Sequence, residues 1–210
     1  MLNLSEAWIY CFKHKEFLLI FLITVMNQIL NHISSGAVIV YISKYIYFSD
    51  INRIANHTKY LGISNLLGIM LVPLVGYFFD RYSARFLFPL FYSLASATYF
   101  AIYFYSSFTS PFAFSLQISA KLFISFLQVI QHASLALHTP QHLKAGIFSI
   151  SSILARLGLV IYEQMSGPIL DSTHALVLFL IGAVMSGALG LLFLLVALCC
   201  DALFKVQEPH

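Results

Sequence analysis

The residues with chemistry to offer are those a bilayer would otherwise exclude. Asn27, Gln28, Asn31 and His32 fall in the middle of one apolar run, and Gln117, Lys121, Ser125, Gln128, Gln131 and His132 in another. A third run carries Ser149, Ser152, Arg156, Glu163 and Gly167. Gln117, Lys121, Ser125, Gln128 and His132 step by four, four, three and four residues, which is a single stripe along a helix. Asn27/Asn31 and Gln28/His32 are two i, i+4 pairs. Polar groups at membrane depth are costly and mark solute or ion pathways unless they pair between helices. Asn27, Asn31, His32, Gln117, Lys121 and Gln128 are therefore the candidate solute contacts. The alternative is interhelical hydrogen bonding, worth roughly 0.6–2 kcal/mol per contact. Packing alone does not account for an unpaired ammonium at the depth of Lys121. At ~1.5 Å per residue Glu163 lies within one helical turn of that depth, so it is expected to neutralise Lys121 or Arg156. Arg156 and Glu163 are the candidate intramembrane ion pair. His138 and His142 flank Pro140 without a nearby carboxylate, so neither a metal site nor a cofactor is expected. No nucleophile–base pair suggests catalysis.

The elements that must carry these residues follow from composition. The chain is 60% hydrophobic and 9% charged with mean hydropathy +0.87, against about 25% charged in an average soluble domain. Its 210 residues hold six spans of about 20 residues with short connections. The spans are expected at 17–42, 60–79, 86–105, 112–137, 145–170 and 175–199, all of them helices, because backbone groups in lipid must be satisfied within the segment. Residues 1–16 read as a cytoplasmic N-terminal segment, 17–199 as the transmembrane domain and 200–210 as a cytoplasmic tail. Glu6, Lys13, Lys15 and Glu16 before the first run, with no small-residue cleavage site after it, argue against a cleavable signal peptide. A net charge of +3 gives no reason to expect nucleic acid as a partner. Gly182, Ser186 and Gly190 form a small-residue ridge on the sixth span, read first as packing within the bundle.

Between the second and third spans stands Gly76-Tyr77-Phe78-Phe79-Asp80-Arg81-Tyr82-Ser83-Ala84-Arg85. Lys13, Lys15, Arg81, Arg85, Lys144 and Lys205 fall on one side of the membrane and Lys44, Arg53 and Lys59 on the other. This bias puts both termini in the cytoplasm. Asn56-His57-Thr58 is then an outward sequon, a candidate glycosylation site in a loop. Asp80 at the inner end of the second span can latch one conformation of the bundle, with Gly76, Arg81 and Arg85 as its companions. Arg81 and Arg85 also serve as topology signals.

The pattern Gly76-x-x-x-Asp80-Arg81-x-x-x-Arg85 resembles the signature loop of the major facilitator superfamily. The distribution of polar stripes resembles its helix roles, with first and fourth helices lining a cavity and third and sixth facing lipid. Within that superfamily the chain is similar to the C-terminal half of solute carrier family 43, the sodium-independent amino-acid facilitators and the related equilibrative nucleobase transporter. The run Tyr60 to Asp80, the turn Thr139-Pro140-Gln141-His142-Leu143-Lys144-Ala145-Gly146 and the stretch Glu163-Gln164-Met165 to Gly167-Pro168 carry this similarity. Lys121 and Glu163 match no motif of that family. The resemblance implies an all-α membrane protein of six transmembrane helices, one half of a major facilitator fold, in the plasma membrane. It implies facilitated diffusion of a small neutral organic solute, an amino acid or nucleobase, by a homodimer or with a second six-helix half. A non-transporting accessory or truncated protein that associates with a full transporter is the alternative.

Overall fold

The computed structural model describes residues 4–37, 51–82, 84–104, 111–171 and 176–199, and every element among them is helical. A short helix α1 (Leu4–Lys13) precedes α2 (Lys15–His32), which continues through a π-helical turn at Ile33–Ala37. Then come α3 (Ile51–Arg81), α4 (Ala84–Phe104), α5 (Pro111–His138), α6 (Lys144–Asp171) and α7 (Val177–Cys199). The six helices α2 to α7 are long and apolar enough to cross a membrane, and the chain is a multi-pass membrane protein. Four of the expected spans agree with α4 to α7 to within two residues at each end. Proline opens α5, where its missing N–H costs no hydrogen bond. Pro73 and Pro168 lie inside α3 and α6, and α6 runs on past Gly167-Pro168 to Asp171 rather than breaking there.

The largest departure from expectation is the second span. Instead of starting near residue 60, α3 begins at Ile51 and has 31 residues, about 46 Å of helix against a hydrocarbon core of about 30 Å. The backbone of Asn56 is therefore helical, not in the loop expected of a used sequon. The side chains of Asn56 and Arg85 lie outside the described residues.

Small residues set the packing. α4 and α7 form the most extensive helix pair. A Cβ on Gly187 would come within 3.0 Å of Ser96 Oγ, and one on Gly182 or Gly190 within 3.3–3.4 Å of α4 side chains or of Ile33. Ser96 Oγ donates to the Ala183 carbonyl at 2.8 Å, and the Phe193 ring stacks on Phe88 and Tyr92 at centroid distances of 4.8 and 5.8 Å. The ridge of the sixth span thus serves the bundle itself. α2 packs on α6, α3 on α5, and α2 on α5. Exchanging the first three spans for the last three turns the α2–α6 pair into the α5–α3 pair and leaves α4–α7 and α2–α5 unchanged. The correspondence is approximate, because α4 meets α5 far more extensively than α7 meets α2.

Residues 4–13 are structured, which the reading of 1–16 as a plain terminal segment did not include. Ala7 and Cys11 are buried against Ile147, Ile150 and Leu135, and Ala7 sits so close to Gly146 that a Cβ there would be 2.8 Å away. The opposite face exposes Leu4, Ile9 and Phe12, with Trp8 stacked on Phe12 at 5.7 Å. An apolar strip with a Trp on a short helix suits the membrane interface. Burial pushes the Cys11 thiol up to about 11. Only the thiolate reacts readily, so in a Cys199→Ser/Cys200→Ser background maleimide labelling at pH 7.5 is expected to be slow until detergent unfolding exposes Cys11. Because the thiol deprotonates earlier in the unfolded chain, its contribution to stability is full below about 9 and is lost as pH rises toward 11. Mass spectrometry of the labelled protein checks the first expectation.

Candidate functional site

α2, α3, α5 and α6 leave polar space between them. One cleft of about 460 Å³ is lined by α2, α3 and α5, among them Asn31, Asn65, Lys121, Ser125, Gln128 and His132. A second, of about 230 Å³, is lined by α2, α5 and α6 with Asn27, Gln28, Gln128, Gln131, His132, Ser151 and Ser152. Gln128 and His132 belong to both, so the two form one polar groove along α5. The stripe spacing on α5 produces this, since residues three and four apart share a helix face. α4 and α7 contribute nothing to either lining.

Within the groove Lys121 is the charged centre. It is 8% exposed, and its Nζ donates to Asn31 Oδ1. Asn31 is half-buried, and its carbonyl also accepts the hydroxyls of Ser34 and Ser35 at 2.9 and 2.8 Å. His32 Nε2 lies 3.0 Å from Gln28 Nε2, and its ring stacks on Tyr162 at 5.5 Å. Gln128 is half-buried and lines both clefts.

Asn27 and Gln117 sit differently from the other candidates. Asn27 is 1% exposed and held on both ends of its amide. Its Oδ1 accepts from Tyr92 Oη at 2.6 Å and its Nδ2 donates to Gln131 Oε1 at 3.0 Å. Gln131 in turn donates to Thr24 Oγ1, which donates to the Ile20 carbonyl at 2.9 Å. This chain ties α2, α4 and α5 together, so Asn27 holds helices where a solute contact was expected. Gln117 is 2% exposed, and neither of its amide atoms has a hydrogen-bond partner.

The expected ion pair is not formed. Arg156 and Glu163 are both exposed on α6, two turns apart at about 10.5 Å along the axis, and no ion pair joins Glu163 to Arg156 or to Lys121 among the described residues. Equal depth did not bring Glu163 to the ammonium, because its side chain is exposed on α6. At the charged turn Asp80 and Arg81 are exposed, and Arg81 donates to Tyr77 Oη on its own helix at 2.9 Å. Gly76 has no neighbour within 4 Å of where a Cβ would stand, so close packing does not require glycine there. Tyr92, Thr24 and Asn65 belong to the site or its frame without having been singled out. The i, i+3 relation of Thr24 to Asn27 was a readable signal for one of them.

Among the described residues no group of three His, Cys, Asp or Glu side chains is placed to hold a metal. In comparison with known proteins, no family model, no curated protein and no solved structure matches this chain.

Proposed function

We propose that the chain is one six-helix half of a major-facilitator-type transporter, moving a small neutral organic solute of the amino-acid or nucleobase class by facilitated diffusion. The observation that carries this reading is the polar groove of α2, α3, α5 and α6, backed by a tightly packed α4–α7 pair. The approximate three-plus-three correspondence in helix pairing supports it, because transporter halves are built from such repeats. So does the exposure of large apolar side chains on α3 and α6 beside the groove, Ile69, Met70, Leu157 and Val160 among them. Two such faces would border a second half across a shared cavity, supplied by another copy of the chain or by a partner half. The placement proposed is the plasma membrane with both termini in the cytoplasm, from the distribution of Lys and Arg. In this reading Asp80, Arg81 and Arg85 work at the inner gate.

A second reading has its own observation. Asn27, Gln131, Thr24 and Tyr92 pair with one another, even though all but Tyr92 also line the smaller cleft, and such pairing is what an accessory membrane protein without a transport path would also need. Reconstitution separates the two. Purified protein in liposomes, assayed for uptake of radiolabelled leucine and uracil after crosslinking in the membrane, is expected to give saturable uptake. The crosslinked species should have twice the chain mass of 23.6 kDa. A monomer without uptake would favour the accessory reading.

A further inference from the structure

Lys121 brings a charge into the bundle, and no carboxylate among the described residues meets it. We propose that the solute supplies that carboxylate, docking it on Lys121 and Asn31 in the cleft between α2, α3 and α5. The cargo is then an amino acid rather than a nucleobase. This inference rests on the transport reading and narrows its solute class.

An ammonium has three N–H donors, and among the described residues Lys121 has one side-chain acceptor, the amide oxygen of Asn31. That oxygen carries only a partial charge. Of the carboxylates whose side chains are described, Glu6 lies on α1, Asp80 at the end of α3, and Glu163 is exposed on α6. None forms an ion pair with Lys121. Charges at membrane depth are paired or face a water-filled cavity, and Lys121 lines the larger cleft. With Asn31 Oδ1 turned to Lys121, the Nδ2 of the same amide is a further donor at the mouth of the same cleft. Ammonium and amide together offer N–H groups to both oxygens of one carboxylate, the charge-assisted arrangement that binds such groups most strongly.

Gln117 lies one turn further along the same stripe of α5, and its buried amide has neither a donor nor an acceptor partner. Buried polar groups are nearly always satisfied. Gln117 lines neither cleft, so it bears on the fit only as a neighbouring amide with unmet capacity. Ile69, Val72 and Val129 complete the cleft with apolar surface for a side chain. A nucleobase would offer the ammonium carbonyl acceptors but no full negative charge.

The test compares acids with their amides. Purified protein in detergent is titrated with isovalerate, phenylacetate and leucine, and in parallel with isovaleramide, phenylacetamide and leucinamide, while the unfolding midpoint is recorded. The acids are expected to raise the midpoint at concentrations at least tenfold below those at which the amides do. Lys121→Gln should erase the difference and Lys121→Arg keep it. Lys59→Gln, an exposed cation outside both clefts, should leave it unchanged. Equal effects of acid and amide on the wild-type protein overturn the inference, and this comparison holds even if Lys121→Gln does not fold. Saturable uracil uptake with no preference for acids would overturn it while leaving the transport reading intact. Acid-selective stabilisation without uptake of leucine or any of the acids would remove transport and keep the carboxylate site.

Discussion

Replacing Gly158 by leucine should remove the folded protein altogether. A Cβ at this position of α6 would stand 2.7 Å from the Val25 carbonyl oxygen, 3.2 Å from Val25 Cα and 3.1 Å from Gln28 Cβ. Two of these are backbone atoms of α2, which cannot swing aside as a side chain could. Alanine alone would force the helices apart, and overpacking of this kind costs about 1–3 kcal/mol. Leucine adds three more carbons to the same contact, and a loss above about 3 kcal/mol is a large fraction of the stability of an ordinary domain. Thermal unfolding of the purified variants is the measurement. Gly158→Ala should lower the midpoint by several degrees, and Gly158→Leu should yield no cooperative transition. Gly62→Ala is the matched control, since nothing lies within 4 Å of its Cβ position, and it should be neutral or slightly stabilising through helix propensity.

The second large effect concerns Asn27. Asn27→Leu strands the Tyr92 hydroxyl and the Gln131 amide oxygen in an interior where Tyr92 is fully buried and Gln131 2% exposed. Each buried group left without its partner costs about 1–3 kcal/mol in water-soluble proteins. Within a membrane the measured average per hydrogen bond is nearer ~0.6 kcal/mol, because the unfolded chain also finds partners. For two groups stranded together a loss of about 2 kcal/mol is expected. Tyr92→Phe made in the Asn27→Leu background should recover about half of it, and a double-mutant cycle measures this coupling directly. Asn31→Leu should cost less, because the Lys121 ammonium it strands lines the cleft and can take water there, while it weakens whatever binds at Lys121. A loss of stability from Asn31→Leu as large as that from Asn27→Leu would mean that both amides are structural.

These two asparagines show what could be read before the structure. Their spacing placed both on α2 facing other helices, and that was correct in kind. Type and spacing do not say which of two amides four residues apart finds a hydroxyl and a second amide across the interface and which meets an ammonium. That depended on Tyr92, from a helix whose aromatic content looked like lipid-facing surface. The spans were legible because twenty apolar residues leave the backbone only one way to satisfy itself. The long start of α3 was not, because residues 51–59 are polar and helical beyond the hydrocarbon, where hydropathy carries no signal. The Lys121–Glu163 pairing failed for a geometric reason: depth along the helices was counted, but rotation about them was not; Arg156 and Glu163 share a face of α6 but stand two turns apart. The role of Gly158 was silent as well, since a lone glycine in an apolar run reads the same whether it faces lipid or a neighbouring carbonyl.

The contact between Ala7 and Gly146 has a consequence for how the protein is made. α1 leaves the ribosome before α6, but the surface that buries Ala7 and Cys11 is built largely from residues near Gly146, Ile147 and Ile150 on α6. At about 5–20 residues per second, the intervening chain takes roughly 7–28 s to synthesise. Throughout that interval α1 has α2 beside it but lacks its seat on α6, and the bilayer surface is the natural place for it to wait. Docking of the first helix is thus among the last events of assembly, and a nascent chain stopped before α6 would carry α1 on lipid rather than in its final seat.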